Sequence, residues 1–591
     1  MAAPLIRAVV TLCLMAGLAG GAAAHTPTQS LADTPDTLRA EAFEAAQWAI
    51  ASDAADALAK VSARFAQGDD ALGRIADERE TLISTRDRLE RELERLYADP
   101  AEAALTRRTA ARIEYETALN RLKAVDADIE VRFPAYSELT SPRALSVAET
   151  QALLKPDEGL LLVLVNPEAT YVWGVSHDRI EWARADNLGA VEMAAAVDAL
   201  RQSLTTAARR TRADPERNPG RNPVLYAGRP AAPFDRAVAH RLYEQLVAPV
   251  EPVFAGKTTL ITVVTGPLTT LPLAVLTTEA PAASGEREEA GEGAWLIDRY
   301  ALATLPSVSS LKALRCHLVA DPAQRSSGCP SLTRGDRQGR TATPTQASTE
   351  ARLAAFGAPI LAGAAESGSR SAPDSSGLFP AGRLADVEKL RALPYLPGSL
   401  AELESLQARY PSALVRVGAA ATESAVRHGD AEALSRARFV VFSTHGLMAG
   451  PTVPEPGLVM TPPAQASEAD DGYLGASEVA QLRLQAQFVV LSACNTAASD
   501  GRPGGEGLSG LARAFFYAGA RSVLVSHWEV SDAATTALIS DTFAALDASD
   551  AGADIGDRAR ALQSGMRAVR AHRAWSHPAF WAPFTLVGEP G

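Results

Sequence analysis

Two stretches decide the fold: FVVFSTHGLMAG (439–450) and FVVLSACNTAASDGRPGGEGLSG (488–510). Each opens on an apolar run of strand length and ends on a residue that can do chemistry, His445 in one and Cys494 in the other. Working outward from them, strand patterns are expected at ILAGA (360–364), ALVRVG (413–418), ARFVVFST (437–444), AQFVVLSA (486–493) and RSVLVSHW (521–528). Helical patterns at 397–409, 421–428, 475–482, 507–518, 532–547 and 555–571 alternate with them. Strands apolar on both faces, alternating with helices, predict a mainly parallel sheet covered on both sides. Such a sheet meets its ligands beyond the carboxyl ends of its strands. His445 and Cys494 each fall just past such an end.

A cysteine thiol is mostly protonated at neutral pH and needs a base or cation within hydrogen-bond reach to become a nucleophile. Neighbouring parallel strands lie about 4.8 Å apart, which brings their terminal loops within that reach. His445 and Cys494 therefore form the minimum dyad for attack on an acyl carbon. Gly446 leaves the backbone open to a substrate, and its N–H with that of Cys494 is a candidate oxyanion hole. His177, His240, His428, His572 and His577 have no partner motif and are read as surface or turn residues.

The order of histidine and cysteine and their separation match the caspase pattern. The series FVVFSTHG, FVVLSACNT and GGEGLSGLARAFFYAGARSVLVSHWEVSD resembles the CHAT domain, the bacterial branch of the caspase and separase clan. So do WLIDRYALATLPSVSSL (295–311), LPGSLAELESL (396–406) and HPAFWAPFTLVGE (577–589). The resemblance implies a caspase-like α/β/α sandwich over residues 155–589, with an N-terminal half at 155–318, a flexible insertion at 319–357 and a catalytic half at 358–589. It also implies a cysteine endopeptidase in which His445 and Cys494 carry the reaction, acting on a protein or peptide substrate. Asp532, in WEVSD, is similar to the aspartate of the separase motif W-D-V-T-D, which implies a pocket for a basic residue before the scissile bond. An aspartate at that place is equally a helix N-cap, and both readings stand. Glu506 and Glu529 are weaker pocket candidates. The chain departs from the family at His527-Trp528, where a leucine is usual before the tryptophan, and at Gly266-Pro267, where an acidic residue is often found. The rival reading, from another class, is a non-catalytic caspase-like scaffold for protein–protein interaction.

Residues 25–135 read as a helical arm. Its long amphipathic segments on either side of Pro100 carry the pattern of an antiparallel coiled-coil hairpin. It resembles the repeat-derived arm that often precedes such domains, a surface on which a regulatory protein can dock. The first residues have the three-part pattern of a signal peptide: Arg7, an apolar core from Ala8 to Leu18, then Ala22-Ala23-Ala24 before His25. Cleavage after Ala24 and a periplasmic or secreted mature chain, no longer held at a membrane, are expected. Export leaves Cys316, Cys329 and Cys494, of which the first two, flanking a loop-like stretch, are expected to pair and the third to stay reduced.

Acidic residues outnumber basic ones, 70 to 57, and the net charge of -13 argues against binding nucleic acid through bulk electrostatics. No P-loop, zincin or serine-hydrolase motif occurs, and neither a metal nor a cofactor is expected. Gly505-Glu506-Gly507-Leu508-Ser509-Gly510 imitates a dinucleotide fingerprint. Spacing rejects it, because ten residues separate Cys494 from Gly505, whereas in a dinucleotide turn the first glycine directly follows the strand.

Overall fold

The computed structural model describes residues 35–50, 102–132, 144–211, 234–281, 294–317, 352–363, 384–449, 453–493, 510–528, 530–549 and 557–591, with isolated positions between 75 and 96 and at 329, 369–370 and 377–379. Its centre is one sheet of eleven strands. An antiparallel meander opens it: β1 (Glu158–Val165), β2 (Thr170–Ser176) and β3 (Ile180–Ala185). β4 (Thr259–Val264) lies parallel to β1, and β5 (Ala301–Thr304) parallel to β4. β6 (Leu353–Gly357), β8 (Leu414–Val417), β9 (Phe439–Ser443), β13 (Phe488–Ser492) and β14 (Ser522–Ser526) are joined by parallel ladders in the order β14-β13-β9-β6-β8. The last strand, β16 (Phe584–Gly588), runs antiparallel to β14 and bridges to β5 at Val587, so it closes the two groups into one sheet. Two small sheets complete the set: β10 (Gly446–Leu447), β11 (Gly457–Val459) and β12 (Tyr473–Gly475) in one, β7 (Ser369–Arg370) and β15 (Val530–Ser531) in the other.

The doubly apolar runs are explained by two separate cores. Side chains alternate across a strand: Phe439, Val441, Phe488 and Val490 enter one core, while Val440, Phe442, Val489 and Leu491 enter the other. Helix Asp532–Ser549 covers the first face, with Phe543 edge-on to Phe439. Helix Gly510–Ala518 covers the second, with Phe515 against Phe442. Helix Pro397–Arg409 spans the residues its sequence pattern marks, beginning on the proline that suits a first helical turn.

One strand lies elsewhere than expected. ILAGA is not a strand; LAAFG (353–357), within the stretch read as a flexible insertion, enters the sheet fully buried between β9 and β8. Pro359 and Gly363 disfavour a central strand, whereas LAAFG offers apolar residues to both faces. Cys316 and Cys329 form the expected disulfide, and most of the stretch between Cys329 and β6 lies outside the described residues.

Beside that disulfide, Arg315 makes a buried ion cluster. It reaches Glu158 at 2.7 Å and Glu589 at 2.9 Å, and thereby ties β1 to the end of β16. Burial opposes the Glu589 charge, but the Arg315 and Arg521 guanidiniums outweigh it and leave the carboxyl at about 2. In the arm, helix Glu102–Arg132 is present, and Arg121–Glu78 and Arg108–Leu96 contacts nest around the expected turn near Pro100. The turn itself and residues 51–74 lie outside the described residues.

Candidate active site

The site is built from the ladder between β9 and β13. Phe439 faces Phe488 and each following pair keeps that separation of 49 positions, down to Ser443 beside Ser492. The same 49 positions separate His445 from Cys494. Cys494, Glu506 and Glu529 lie outside the described residues, so the site is described here from the elements around them.

Both strand ends are held by buried hydroxyls. Ser399, on the first turn of helix Pro397–Arg409, donates to the Ser443 carbonyl and lies 2.9 Å from the Ser443 hydroxyl. Ser492 donates to the Glu402 carboxylate at 2.8 Å, one turn further along that helix, and Glu402 is wholly buried. On the far side of β13, the Ser526 hydroxyl of β14 donates to the Ala493 carbonyl. Ser492 is therefore held from helix Pro397–Arg409, and Ala493, which precedes Cys494, from β14. At Gly357 the end of β6 comes so close to the Ser443 carbonyl that a Cβ would lie 2.1 Å from its oxygen, which is why glycine ends that strand.

His445 is 1 % exposed. Its Nε2 lies 2.8 Å from the Pro394 carbonyl, a pure acceptor, which makes Nε2 the protonated nitrogen and Nδ1 the basic one. Pro394 is itself clamped: Ala362 N donates to Arg391 O, Gly363 N to Leu393 O, and Tyr395 N to Gly363 O. The histidine backbone is tied down as well. Val459 N donates to His445 O at 2.9 Å while Gly446 faces Leu458. That pattern makes Gly446 and Leu458 a non-hydrogen-bonded pair, so the Gly446 N–H points away from β11 and is not used by that ladder. β12, next to β11, is anchored in turn by Glu423, whose carboxylate accepts from Asp471 N and Gly472 N and pairs with Arg427. Burial pushes the Glu423 carboxyl up, to about 8, against the pull of those donors.

Asp532 lies in the first turn of helix Asp532–Ser549. Both the pocket and the capping readings of Asp532 stand. The side chain is 6 % exposed and packs on Gly398, where a Cβ would come within 2.4 Å of the Asp532 Cβ. Asp532 thus packs against the first turn of helix Pro397–Arg409, where Gly398 is four residues along the chain from Pro394, whose carbonyl holds His445. His527, one of the departures from the family pattern, is structural: it is buried, with Nε2 2.9 Å from the Thr585 hydroxyl. Burial first, then repulsion from Arg201, lowers it to about 3, so it is neutral at ordinary pH. Ser399, Glu402, Ser492, Ser526 and Pro394 were not singled out from the sequence. The signal that marks three of them is a small polar residue at the last place or two of an otherwise apolar strand or first helical turn.

Among the described residues no group of three or more metal-ligating side chains occurs, and no helix is long and apolar enough to cross a membrane.

A central, mostly parallel sheet with helices on both faces and a histidine held at a strand end is the α/β sandwich expected from the CHAT likeness. Residues 236–589 match the CHAT domain, and the chain belongs to that family. Mouse tetratricopeptide repeat protein 28 (Mus musculus) is 38% identical over 117 residues, 20% of this chain, and the human (Homo sapiens) protein of that name 35% over the same length. The match spans only 4% of the length of either relative. Among solved structures, the Saccharomyces cerevisiae separase–securin complex is similar at 12% identity and TM-score 0.40, covering 83% of this chain and 34% of that one. The Arg-specific cysteine proteinase gingipain R is similar at 12% identity and TM-score 0.30, covering 60% and 66%.

Proposed function

We propose that the protein is a cysteine endopeptidase in which His445 and Cys494 act as a dyad on protein substrates. One observation carries the reading: the ladder of β9 and β13 holds a constant separation of 49 positions, and the two chemistry-bearing residues share it two places beyond the last pair. In this reading the Pro394 carbonyl fixes the imidazole so that Nδ1 takes the thiol proton. The thiolate adds to the scissile carbonyl carbon, and a C–S bond forms. The oxyanion is received by the N–H groups of Gly446 and Cys494, the first of which the β11 ladder leaves available. The C–N bond then breaks as the imidazolium returns its proton to the leaving amine, and water hydrolyses the thioester. Asp532 lines the pocket and favours arginine or lysine before the cleaved bond, because a carboxylate pairs bidentately with a guanidinium. We further propose that the chain is exported, which suits the Cys316–Cys329 disulfide, and that the helical arm docks a regulatory protein. A peptidyl acyloxymethyl-ketone probe tests the central claim. It is expected to label wild type at Cys494 and to label neither Cys494→Ala nor His445→Ala. Equal labelling of wild type and His445→Ala overturns the dyad. N-terminal sequencing of native material tests export: a first residue at Met1 refutes it.

A further inference from the structure

The amino ends of the central strands carry a second charged cluster, at the edge of the sheet opposite the one that leads to His445. Arg438 stands just before β9, Gln487 just before β13 and Arg521 just before β14, so they follow one another along that edge. β16 runs the other way and brings its far end, followed by Glu589, to the same edge. Arg558 joins them from the start of helix Arg558–Ala571. The five residues of β9, at about 3.3 Å each, separate this edge from the strand end that precedes His445.

Hydrogen bonds hold the pieces together. Glu589 N donates to Arg521 O at 3.1 Å. The Glu589 carbonyl accepts from Arg558 Nη2 at 3.1 Å and from the Ser522 hydroxyl at 2.7 Å. Arg521 and Arg558 thus both bond to the main chain of Glu589, whose carboxylate is held by Arg315. The other carboxylate nearby, Asp557, caps its helix through Arg560 N and pairs with the Arg560 side chain at 2.9 Å. Arg438 Nε donates to Gln487 Oε1 at 2.8 Å. Arg558 is 1 % exposed and Arg521 is half-buried. Arg521 Nε and Arg558 Nη1 are both buried, and neither has a hydrogen-bond partner among the described residues. Burial first, then repulsion from Arg521, brings the Arg558 guanidinium down to about 9, against the pull of Glu589 and Asp557.

A buried charge is costly unless it is paired. Two neighbouring guanidiniums with N–H groups to spare are a donor set for an anion that carries several oxygens. A carboxylate fills one such fork, whereas a tetrahedral oxyanion has oxygens enough for both. We propose that Arg521 and Arg558 form a binding site for a tetrahedral oxyanion, either phosphate or the phosphoryl group of a larger ligand, at the edge of the sheet opposite His445. The anion enters past Arg521, the more exposed of the two, and offsets the repulsion between them. The site does not depend on the peptidase reading.

The test is titration calorimetry on the full chain, with inorganic phosphate as the probe and chloride buffer of matched ionic strength. One saturable site is expected, weakened at least about tenfold in Arg521→Gln and in Arg558→Gln, because each loses charge-assisted hydrogen bonds. Arg436→Gln, at an exposed arginine paired with Glu432, is expected to bind as wild type does. Stability gives a second readout. In chloride, Arg521→Gln is expected to melt no lower than wild type, since it removes a repulsion. With phosphate at about ten times Kd, the folded-to-unfolded ratio of wild type is expected to rise about elevenfold and that of the variant to rise far less. Should Arg558→Gln fail to fold, Arg521→Gln decides. Phenyl phosphate separates the two sources: affinity equal to that of phosphate points to the phosphoryl group of a larger ligand, and loss of binding points to the free anion. Acetate that binds as tightly as phosphate overturns the tetrahedral assignment. The absence of saturable phosphate binding, or equal affinity in Arg521→Gln, overturns the site.

Discussion

The sheet has two parallel groups, and they close their strand ends differently. At the end of β4, Thr265 turns back on its neighbour: its hydroxyl accepts from Val165 N and donates to Val163 O. After β5, the Ser307 hydroxyl caps the next short helix by accepting from Ser310 N. These ends satisfy themselves with uncharged groups, and among the described residues just past them no side chain titrates. At β9, β13 and β14 the hydroxyls of Ser399, Ser492 and Ser526 also reach from one element to the next, to Ser443, Glu402 and Ala493, and one of these partners is a buried carboxylate. His445 stands at the centre of that mesh, held by a main-chain carbonyl. The same ladder physics and the same kind of cross-link build both groups; the second adds a buried carboxylate and a histidine held at a strand end.

The strongest way to break this contrast is to remove the chemistry from one side and disturb the other. Cys494→Ala and His445→Ala are each expected to lower peptide cleavage on the order of 10⁴-fold or more, as when a member of a catalytic unit is lost. Thr304→Ala, at the end of β5, is expected to change kcat/KM by less than about twofold. A comparable loss on both sides would mean that strand ends in either group serve the site, and the contrast would fall.

Next in size is the cluster that joins the groups. Arg315→Met strands the buried carboxylates of Glu158 and Glu589, and breaking a buried pair by removing one partner costs about 3–5 kcal/mol. Urea unfolding is expected to show one transition at lower midpoint, because β16 belongs to the ladders of both groups. Two separate transitions would show that the groups fold independently.

A third test concerns His527, at the end of β14. Its folded value, about 3, lies below the ordinary value of 6.5, so the unfolded chain binds the extra proton between those limits. The stability it contributes is present above pH 6.5 and is lost as pH falls toward 3. From pH 7 to pH 5 the loss is about 2 kcal/mol. His527→Gln is expected to flatten that part of the pH–stability curve, measured by urea unfolding at each pH. An unchanged slope would place the acid sensitivity elsewhere.

What the sequence made legible follows one rule. β9, β13, β14, β4 and the β1–β3 meander announce themselves because each feeds apolar residues to a core on a regular period. β5 and β16 were visible only as parts of a family likeness: ALAT is four residues long, and FTLVG follows a proline and a helical turn. β6 was displaced because ILAGA carries the higher hydropathy while LAAFG owes its place to neighbours on both sides. At the site, His445 and Gly446 were legible from their position after a strand. Glu402, Ser399 and Pro394 were not, since their partners lie 90, 44 and 51 residues away and no local pattern encodes a long-range hydrogen bond.

The smallest expected effect discriminates most finely between a working peptidase and a scaffold. Ser526→Ala removes the hydroxyl that donates to the Ala493 carbonyl. A neutral hydrogen bond of this kind contributes about 0.5–1.5 kcal/mol to stability, so the melting temperature should drop only slightly. Chemistry is more demanding than folding, because a shift well under 1 Å in a reacting atom is felt in rate. Ala493 immediately precedes Cys494 in the chain, and β14 holds its carbonyl. In a peptidase, kcat is therefore expected to fall about tenfold with KM nearly unchanged, and Ser526→Thr, which keeps the hydroxyl, to restore most of it. In a scaffold that only displays peptides, affinity for a bound peptide would be unaffected by either substitution and no rate would exist to change. A fall in kcat that tracks the loss of stability and is not rescued by threonine would reduce Ser526 to a packing residue, with no part in positioning the residue after Ala493.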